Sequence, residues 1–170
     1  MPEVKTQRNT AEDRTDAPID AVITWVDGSS EKHRGKRQQY LAQAGRALHE
    51  NAINPHRWAC NDEILYCLQS LENNAPWVRR IWIVVDEETP DLRQLSNSLR
   101  AKVRFVFHHE IFGEFSADLP TFNSLAIESM LWRIDGLSER FMYFNDDVFL
   151  TAPLFPSDVF RGDAPVLRGR

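Results

Sequence analysis

Ile81-Trp82-Ile83-Val84-Val85 is an unbroken apolar run of strand length, closed by Asp86. A strand with one wet face alternates apolar and polar residues. This run does not alternate, so both of its faces must be covered, as in a parallel sheet flanked by helices. Ile19 to Val26 reads as a strand ahead of it, stopped by the turn Asp27-Gly28-Ser29-Ser30. Val103 to Phe107 reads as a third strand and Phe141 to Phe149 as the last. Helical periods fall between them. Ile64, Leu68 and Leu71 at i, i+4, i+7 predict an amphipathic helix over 61–74, ended by Pro76. Phe122, Ala126, Met130 and Ile134 form the apolar row of a second helix over 121–134, and 91–99 reads as a short helix. The expected fold is α/β, a mostly parallel sheet with helices on both faces. The domain runs over 19–160, between a disordered tail at 1–18 and a C-terminal tail at 161–170.

With 170 residues, 42% of them hydrophobic and 26% charged, the chain can bury a real core. Its net charge of −5 argues against a nucleic-acid partner. No apolar stretch approaches the ~20 residues of a membrane span. Residues 1–20 lack the apolar centre of a signal peptide, so the expected location is the cytoplasm, or the inner membrane face as a peripheral protein. The two cysteines, Cys60 and Cys67, would stand about 10 Å apart on one helix, too far for a disulfide, and read as packing residues.

The chemistry-bearing groups gather at the carboxyl ends of the predicted strands, where open α/β sheets bind ligands. Asp27 and Asp86 each follow a strand, and Asp146-Asp147 interrupts the run from Phe141 to Phe149. A carboxylate pair beside a buried strand is costly unless a cation or donors meet it, and hard oxygen ligands suit Mg²⁺ or Mn²⁺. The other reading of these acids is that they form turns and caps. The apolar Val148-Phe149-Leu150 beyond the pair speaks against a turn there. His108 and His109, adjacent at the end of the third strand, would face opposite sides and read as structural. Thr121, Ser124 and Glu128 form a polar row on the helix over 121–134. That row is either an exposed face or a sugar-binding and proton-accepting one. The basic start of 31–54 (Lys32, Arg34, Lys36, Arg37) is likewise a solvated face or a phosphate contact. The chain has no G-x-x-x-x-G-K-[ST], no G-x-G-x-x-G, no nucleophile elbow and no His-Glu-x-x-His.

Ile19-Asp20-Ala21-Val22-Ile23-Thr24-Trp25-Val26-Asp27-Gly28 resembles the first conserved segment of the Stealth family, and Arg57 through Asp147 the second. Ala75-Pro76-Trp77-Val78-Arg79-Arg80-Ile81, Leu119-Pro120-Thr121-Phe122-Asn123-Ser124 with Ala126-Ile127-Glu128-Ser129, and Tyr143-Phe144-Asn145-Asp146-Asp147 carry the likeness. The resemblance implies a sugar-1-phosphate transferase of capsule or exopolysaccharide synthesis. Its fold would be similar to that of the nucleotide-diphosphosugar (GT-A-like) glycosyltransferases. It implies a UDP-sugar donor such as UDP-N-acetylglucosamine, a divalent metal, Mg²⁺ or Mn²⁺, and a hydroxyl of an oligosaccharide or polysaccharide as acceptor, with UMP released. By the same resemblance Ser124, Glu128 and Asp147 are catalytic, Asp146 and Asp147 bind the metal, and Asp27, Gly28, Arg57, Asn61 and Asn123 bind substrate.

The chain departs from the family pattern after Arg57, with Cys60 for an Asp, Leu65 and Gln69 for two Arg, and Cys67 for a Ser. A charge-assisted hydrogen bond that these residues cannot make would be worth about 1.5–3 kcal/mol if buried. Third and fourth family segments, which supply further active-site groups, do not follow, so the expectation is a truncated protein. Two hypotheses result. One is a metal-dependent sugar-phosphate transferase, acting alone or with a chain that supplies those segments. The other is a non-catalytic remnant that binds a nucleotide sugar or a partner chain. On chemistry alone a glycosyltransferase releasing UDP also fits.

Overall fold

The computed structural model describes residues 17–44 and 60–167. Four parallel strands form the sheet in the order β3-β2-β1-β4. They are β1 (Ile19–Thr24), β2 (Ile81–Val85), β3 (Val103–Phe107) and β4 (Arg140–Asn145). The unbroken apolar run of β2 is buried at every position, as its composition requires. The helices are α1 (Glu31–Ala44), α2 (Glu63–Asn74), α3 (Asn97–Lys102), α4 (His108–Phe112), α5 (Ser124–Glu128) and α6 (Pro156–Val159). A small antiparallel ribbon of β5 (Phe160–Arg161) and β6 (Ala164–Pro165) follows.

Both faces of the sheet are covered. Ala21, Ile23, Ile81, Ile83 and Val85 pack on Ile64, Cys67, Leu68 and Leu71 of α2. On the other face Val22, Trp82, Val84 and Val106 pack on Ile111 and Phe112 of α4 and on Leu131 and Ile134. The alternation of β1 sends Ala21 and Ile23 to one layer and Val22 to the other. Asp20 joins the second side and is fully buried. It accepts from Arg79 Nε (2.8 Å) and Nη2 (2.6 Å), from Trp82 Nε1 (2.9 Å) and from the Ser138 amide (3.0 Å). Four donors make burial of its charge tolerable.

Several expectations need correction. The helix over 121–134 is not continuous. The Asn123 side chain accepts the Leu125 amide at 3.1 Å and starts α5 at Ser124. The Ser129 hydroxyl then donates to the Ala126 carbonyl (2.8 Å), and the Met130 amide turns to Ile127 instead (2.9 Å). That side-chain competition ends the helix after one turn, and a 3₁₀ turn at Leu131–Arg133 follows. The last strand stops at Asn145, because its neighbour β1 stops opposite, at Thr24. Asp146-Asp147 is a turn after all, closed by the Val148 amide on the Asn145 carbonyl at 3.1 Å. Val148 and Phe149 are exposed. Helix α3 begins at Asn97, later than the expected 91, where the Ser96 hydroxyl caps the Leu99 amide. His108 and His109 open a helix and do not extend β3. Helix α2 starts at Glu63, so Cys60 lies ahead of it; both cysteines are free. Among the described residues no helix is long and apolar enough to cross a membrane.

Candidate functional site

In the order β3-β2-β1-β4 the chain leaves β1 on one side to build β2 and β3, then returns to its other side as β4. The carboxyl ends of β1 and β4 therefore flank a topological switch point, where an open sheet leaves a crevice. A cleft of about 320 Å³ lies there. Thr24 at the end of β1 with Trp25 just beyond it, Asn145 at the end of β4 with Asp146 and Asp147 in the turn that follows, and Thr121 and Ser124 from the segment entering α5 line it. Asp86, His33, His108 and Phe122 complete its wall.

Three carboxylates line this cleft, and among the described residues no lysine or arginine does. The Asp146 carboxyl is pushed up to about 6, first by burial and then by the charge of Asp147 beside it. Beneath the pair, burial and the same two acids push the Cys67 thiol up to about 12. Burial holds His33 and His108 below the ordinary histidine range. The indole N–H of Trp25 is buried without a hydrogen-bond partner among the described residues. Among those residues no three acids, histidines or cysteines converge into a complete metal cage. Two adjacent carboxylates match the open ligation of Mg²⁺, which keeps waters and shares phosphate oxygens.

Tyr143 joins the site although sequence patterning gives it no functional mark. Its hydroxyl lies 2.9 Å from Thr24 Oγ1 and donates to Asn145 Oδ1 at 2.9 Å. Burial first, and then the charge of Glu128 nearby, push this phenol above its ordinary range. One phenol thus joins the ends of β1 and β4, with the Glu128 charge nearby. The usable signal is strand alternation, which puts Tyr143 and Asn145 on one face of β4.

Other candidates occupy different places. Asp27 closes its own turn, accepting from the Ser29 amide (2.9 Å) and hydroxyl (2.5 Å), and Gly28 is buried inside that turn. Asn61 binds Glu63 through its amide side chain (2.9 Å) and backbone (2.8 Å). Glu63 in turn adds to the negative field on Asp146. The side chain of Asn123 is used as the cap of α5. Arg57 lies outside the described residues. Lys36 of α1 reaches Asp86 (2.7 Å) and Glu87 (2.6 Å), and Lys32 pairs with Glu87. Lys32 and Lys36 of the basic run are therefore engaged with acids that follow β2. Of the four departures, Cys67 is fully buried in the core, Leu65 and Cys60 are half-buried against it, and Gln69 is exposed.

Comparison with known proteins adds a family pattern to this geometry. Residues 17–45 match the model described as Stealth protein CR1, conserved region 1, and residues 57–166 the one described as Stealth protein CR2, conserved region 2. An exopolysaccharide phosphotransferase of Streptomyces coelicolor is 47% identical over 143 residues, covering 84% of this chain and 23% of the relative. A capsular polysaccharide phosphotransferase of Neisseria meningitidis serogroup B is 36% identical over 150 residues, covering 86% and 38%. One from Haemophilus influenzae is 40% identical over 147 residues, covering 86% and 39%. The chain thus spans less than half the length of these relatives.

Proposed function

This chain belongs to the Stealth family, and from that membership we propose that it forms the donor-binding part of a phosphotransferase of capsule or exopolysaccharide synthesis. The reaction moves a sugar-1-phosphate from a UDP-sugar, UDP-N-acetylglucosamine or one like it, to a sugar hydroxyl, and UMP leaves. The observation that carries this reading is the acid-lined cleft at the switch point, with no lysine or arginine among the described residues of its wall. A pyrophosphate there would meet only negative charge. Asp147 with Asp146 would therefore hold Mg²⁺ or Mn²⁺. When bound, the ion supplies neutralisation of the phosphate oxygens.

The chain's own residues supply placement. Phosphoryl transfer depends on positioning more than on covalent help. Ser124 lines the same cleft as the carboxylate pair, and its hydroxyl would orient the donor phosphate or sugar. Glu128, whose charge reaches the Tyr143 phenol that joins β1 and β4, would accept the proton of the attacking hydroxyl. Polysaccharide relatives and the acidic wall leave room for a partner chain that brings further groups.

The test is calorimetric titration of the full chain with UDP-N-acetylglucosamine, with Mg²⁺ and with EDTA, beside Asp147→Asn. Binding that requires metal and disappears in the variant supports the donor site, and UMP release with a sugar acceptor supports transfer. Binding indifferent to both EDTA and Asp147→Asn would refute the site. Release of UDP would identify glycosyl transfer instead. Near-normal turnover in Glu128→Gln would remove that residue from the base role.

A further inference from the structure

On the second face of the sheet, outside the wall of the cleft, two turns bring an aromatic cluster to the surface. Phe112 ends α4 in the core, and the chain then runs through a 3₁₀ turn, Gly113–Asp118, in which no residue is buried. Leu131 anchors the turn Leu131–Arg133 in the same core and leaves the next residue, Trp132, 72% exposed. Phe115 of the first turn is 44% exposed. Arg133 joins the two turns. Its guanidinium lies over the Phe115 ring at 5.6 Å and over the Trp132 ring at 5.5 Å from the centroids, within cation–π range of both. Nη1 donates to Glu114 Oε1 at 3.0 Å and Nη2 to Glu114 Oε2, so the fork is fixed at two points. Gly113, at φ +49°, lets the guanidinium close on the backbone, since a Cβ there would meet Arg133 Nη2 at 3.0 Å. The Arg133 hydrogen bonds hold the Glu114 carboxyl down to about 2, so the pair stays ionised at neutral pH.

The chemistry of this cluster selects what it can hold. Single exposed apolar residues are ordinary. Two rings locked to one guanidinium are instead a preformed surface, which a ligand need not order. An ionised Glu114 beside the rings disfavours a protein contact, whose centre is poor in glutamate. A pair of zero net charge gives a phosphate no advantage. An uncharged ligand with an apolar face and a rim of hydroxyls fits both parts. The C–H faces of a pyranose stack on the rings, and its hydroxyls donate to Glu114 and accept from Arg133. Phe115 stands five residues before Pro120, which lines the cleft, so their Cα atoms are at most about 18 Å apart. We infer that Trp132, Phe115 and the Arg133–Glu114 pair form a glycan-binding platform. It holds sugar units of the acceptor chain outside the cleft while the reacting hydroxyl reaches in. The choice of an acceptor glycan rests on the transfer reading above, but the platform uses none of the residues named there.

Nitrogen-15 NMR of the full chain, without metal or nucleotide, tests it with chitotetraose and maltotetraose, uncharged β- and α-linked pyranose chains. The Trp132 indole signal, identified by its loss in Trp132→Phe, should shift saturably with at least one of them. Saturation transfer to that glycan then compares variants. Trp132→Ala and Phe115→Ala should each weaken binding about tenfold, as loss of one stacked ring does. Tyr66→Ala, which removes an exposed ring of α2 on the other face of the sheet, should leave binding unchanged. Circular dichroism of each variant guards the comparison, and Phe115→Ala carries the test if Trp132→Ala does not fold. No shift of Trp132 with either glycan overturns the inference, as does binding that survives both substitutions or falls equally in Tyr66→Ala. A Trp132 shift that follows protein concentration alone would reveal a contact between copies and overturn it too. Glycan bound through Trp132 in a chain that binds no UDP-N-acetylglucosamine would sink the donor reading and leave the platform standing. Metal-dependent donor binding with no glycan response at Trp132 would do the reverse.

Discussion

Replacing Arg79 by Met should strip Asp20 of two of its four donors while leaving the carboxylate fully buried. Trp82 and the Ser138 amide would remain, both on Oδ2, and Oδ1 would be left without its donor. Removing one partner of a buried ion pair costs about 3–5 kcal/mol. The Arg79 side chain is about a third exposed, so water softens the loss, and we expect about 3 kcal/mol. That is a large share of the ~5–15 kcal/mol that holds a domain together. At a urea dependence of about 2 kcal/mol per molar, the unfolding midpoint should fall by about 1.5 M with unchanged slope. Arg79→Lys, which restores charge but not the fork, should recover only part.

Acid supplies a second readout. Despite burial, the Arg79, Trp82 and Ser138 hydrogen bonds hold the Asp20 carboxyl below its ordinary value. A depressed folded-state value means that the contribution is present above about pH 4, the unfolded range, and is lost as pH falls through the folded one. The gap between wild type and Arg79→Met should therefore be widest near neutrality and narrow below about pH 4. A loss under about 1 kcal/mol at pH 7, or a gap that does not change with acid, would refute the account of Asp20 as a charge held by that fork.

Other outcomes follow from the site and the core. Tyr143→Phe should leave stability within about 1 kcal/mol, yet lower transfer strongly, because one hydroxyl joins Thr24 and Asn145 at the mouth of the cleft; urea unfolding and UMP release separate the two. Asp146 has a raised carboxyl, about 6, so the metal-free chain should lose stability as pH rises from about 4 to 6, and Asp146→Asn should flatten that slope in urea titrations at each pH. Cys67, buried and pushed to about 12, should resist a thiol reagent in the folded chain, whereas half-buried Cys60 reacts; equal rates for both would contradict the packing of α2.

Much of the fold was legible because strand runs and the α2 stripe obey simple periods. Ile81 to Val85 demanded cover on two faces and has it. Ile64, Leu68 and Leu71 demanded a core-facing helix and form one. The segment from Thr121 to Ile134 misleads because its apolar period is helical, while two short polar side chains, Asn123 and Ser129, decide the backbone locally. Asp146-Asp147 resembles strand because the apolar residues on either side hide the point where β1 runs out opposite Asn145. The grouping of Asp146, Asp147 and Asp86 at one end of the sheet was readable from strand order. Tyr143 was not, since a tyrosine inside an apolar strand reads as core until its hydroxyl finds Thr24 across the sheet.

The pairing of β1 with β4 also sets when this protein can become itself during synthesis. Thr24 and Tyr143 are joined across a separation of 119 residues along the chain. A ribosome that has delivered β1, α2, β2 and β3 has delivered a sheet with an open flank beside β1. Domains form as units, at about 5–20 residues added per second, so that flank waits several seconds for its neighbour. During that wait Val22 and Ile23 present unpaired backbone to whatever strand is at hand. The crevice and the closing of the vulnerable edge arrive with the same stretch, Arg140 to Asn145. A substitution that weakens β4 should therefore appear first as insoluble product in cells, before any assay of the purified protein detects a change.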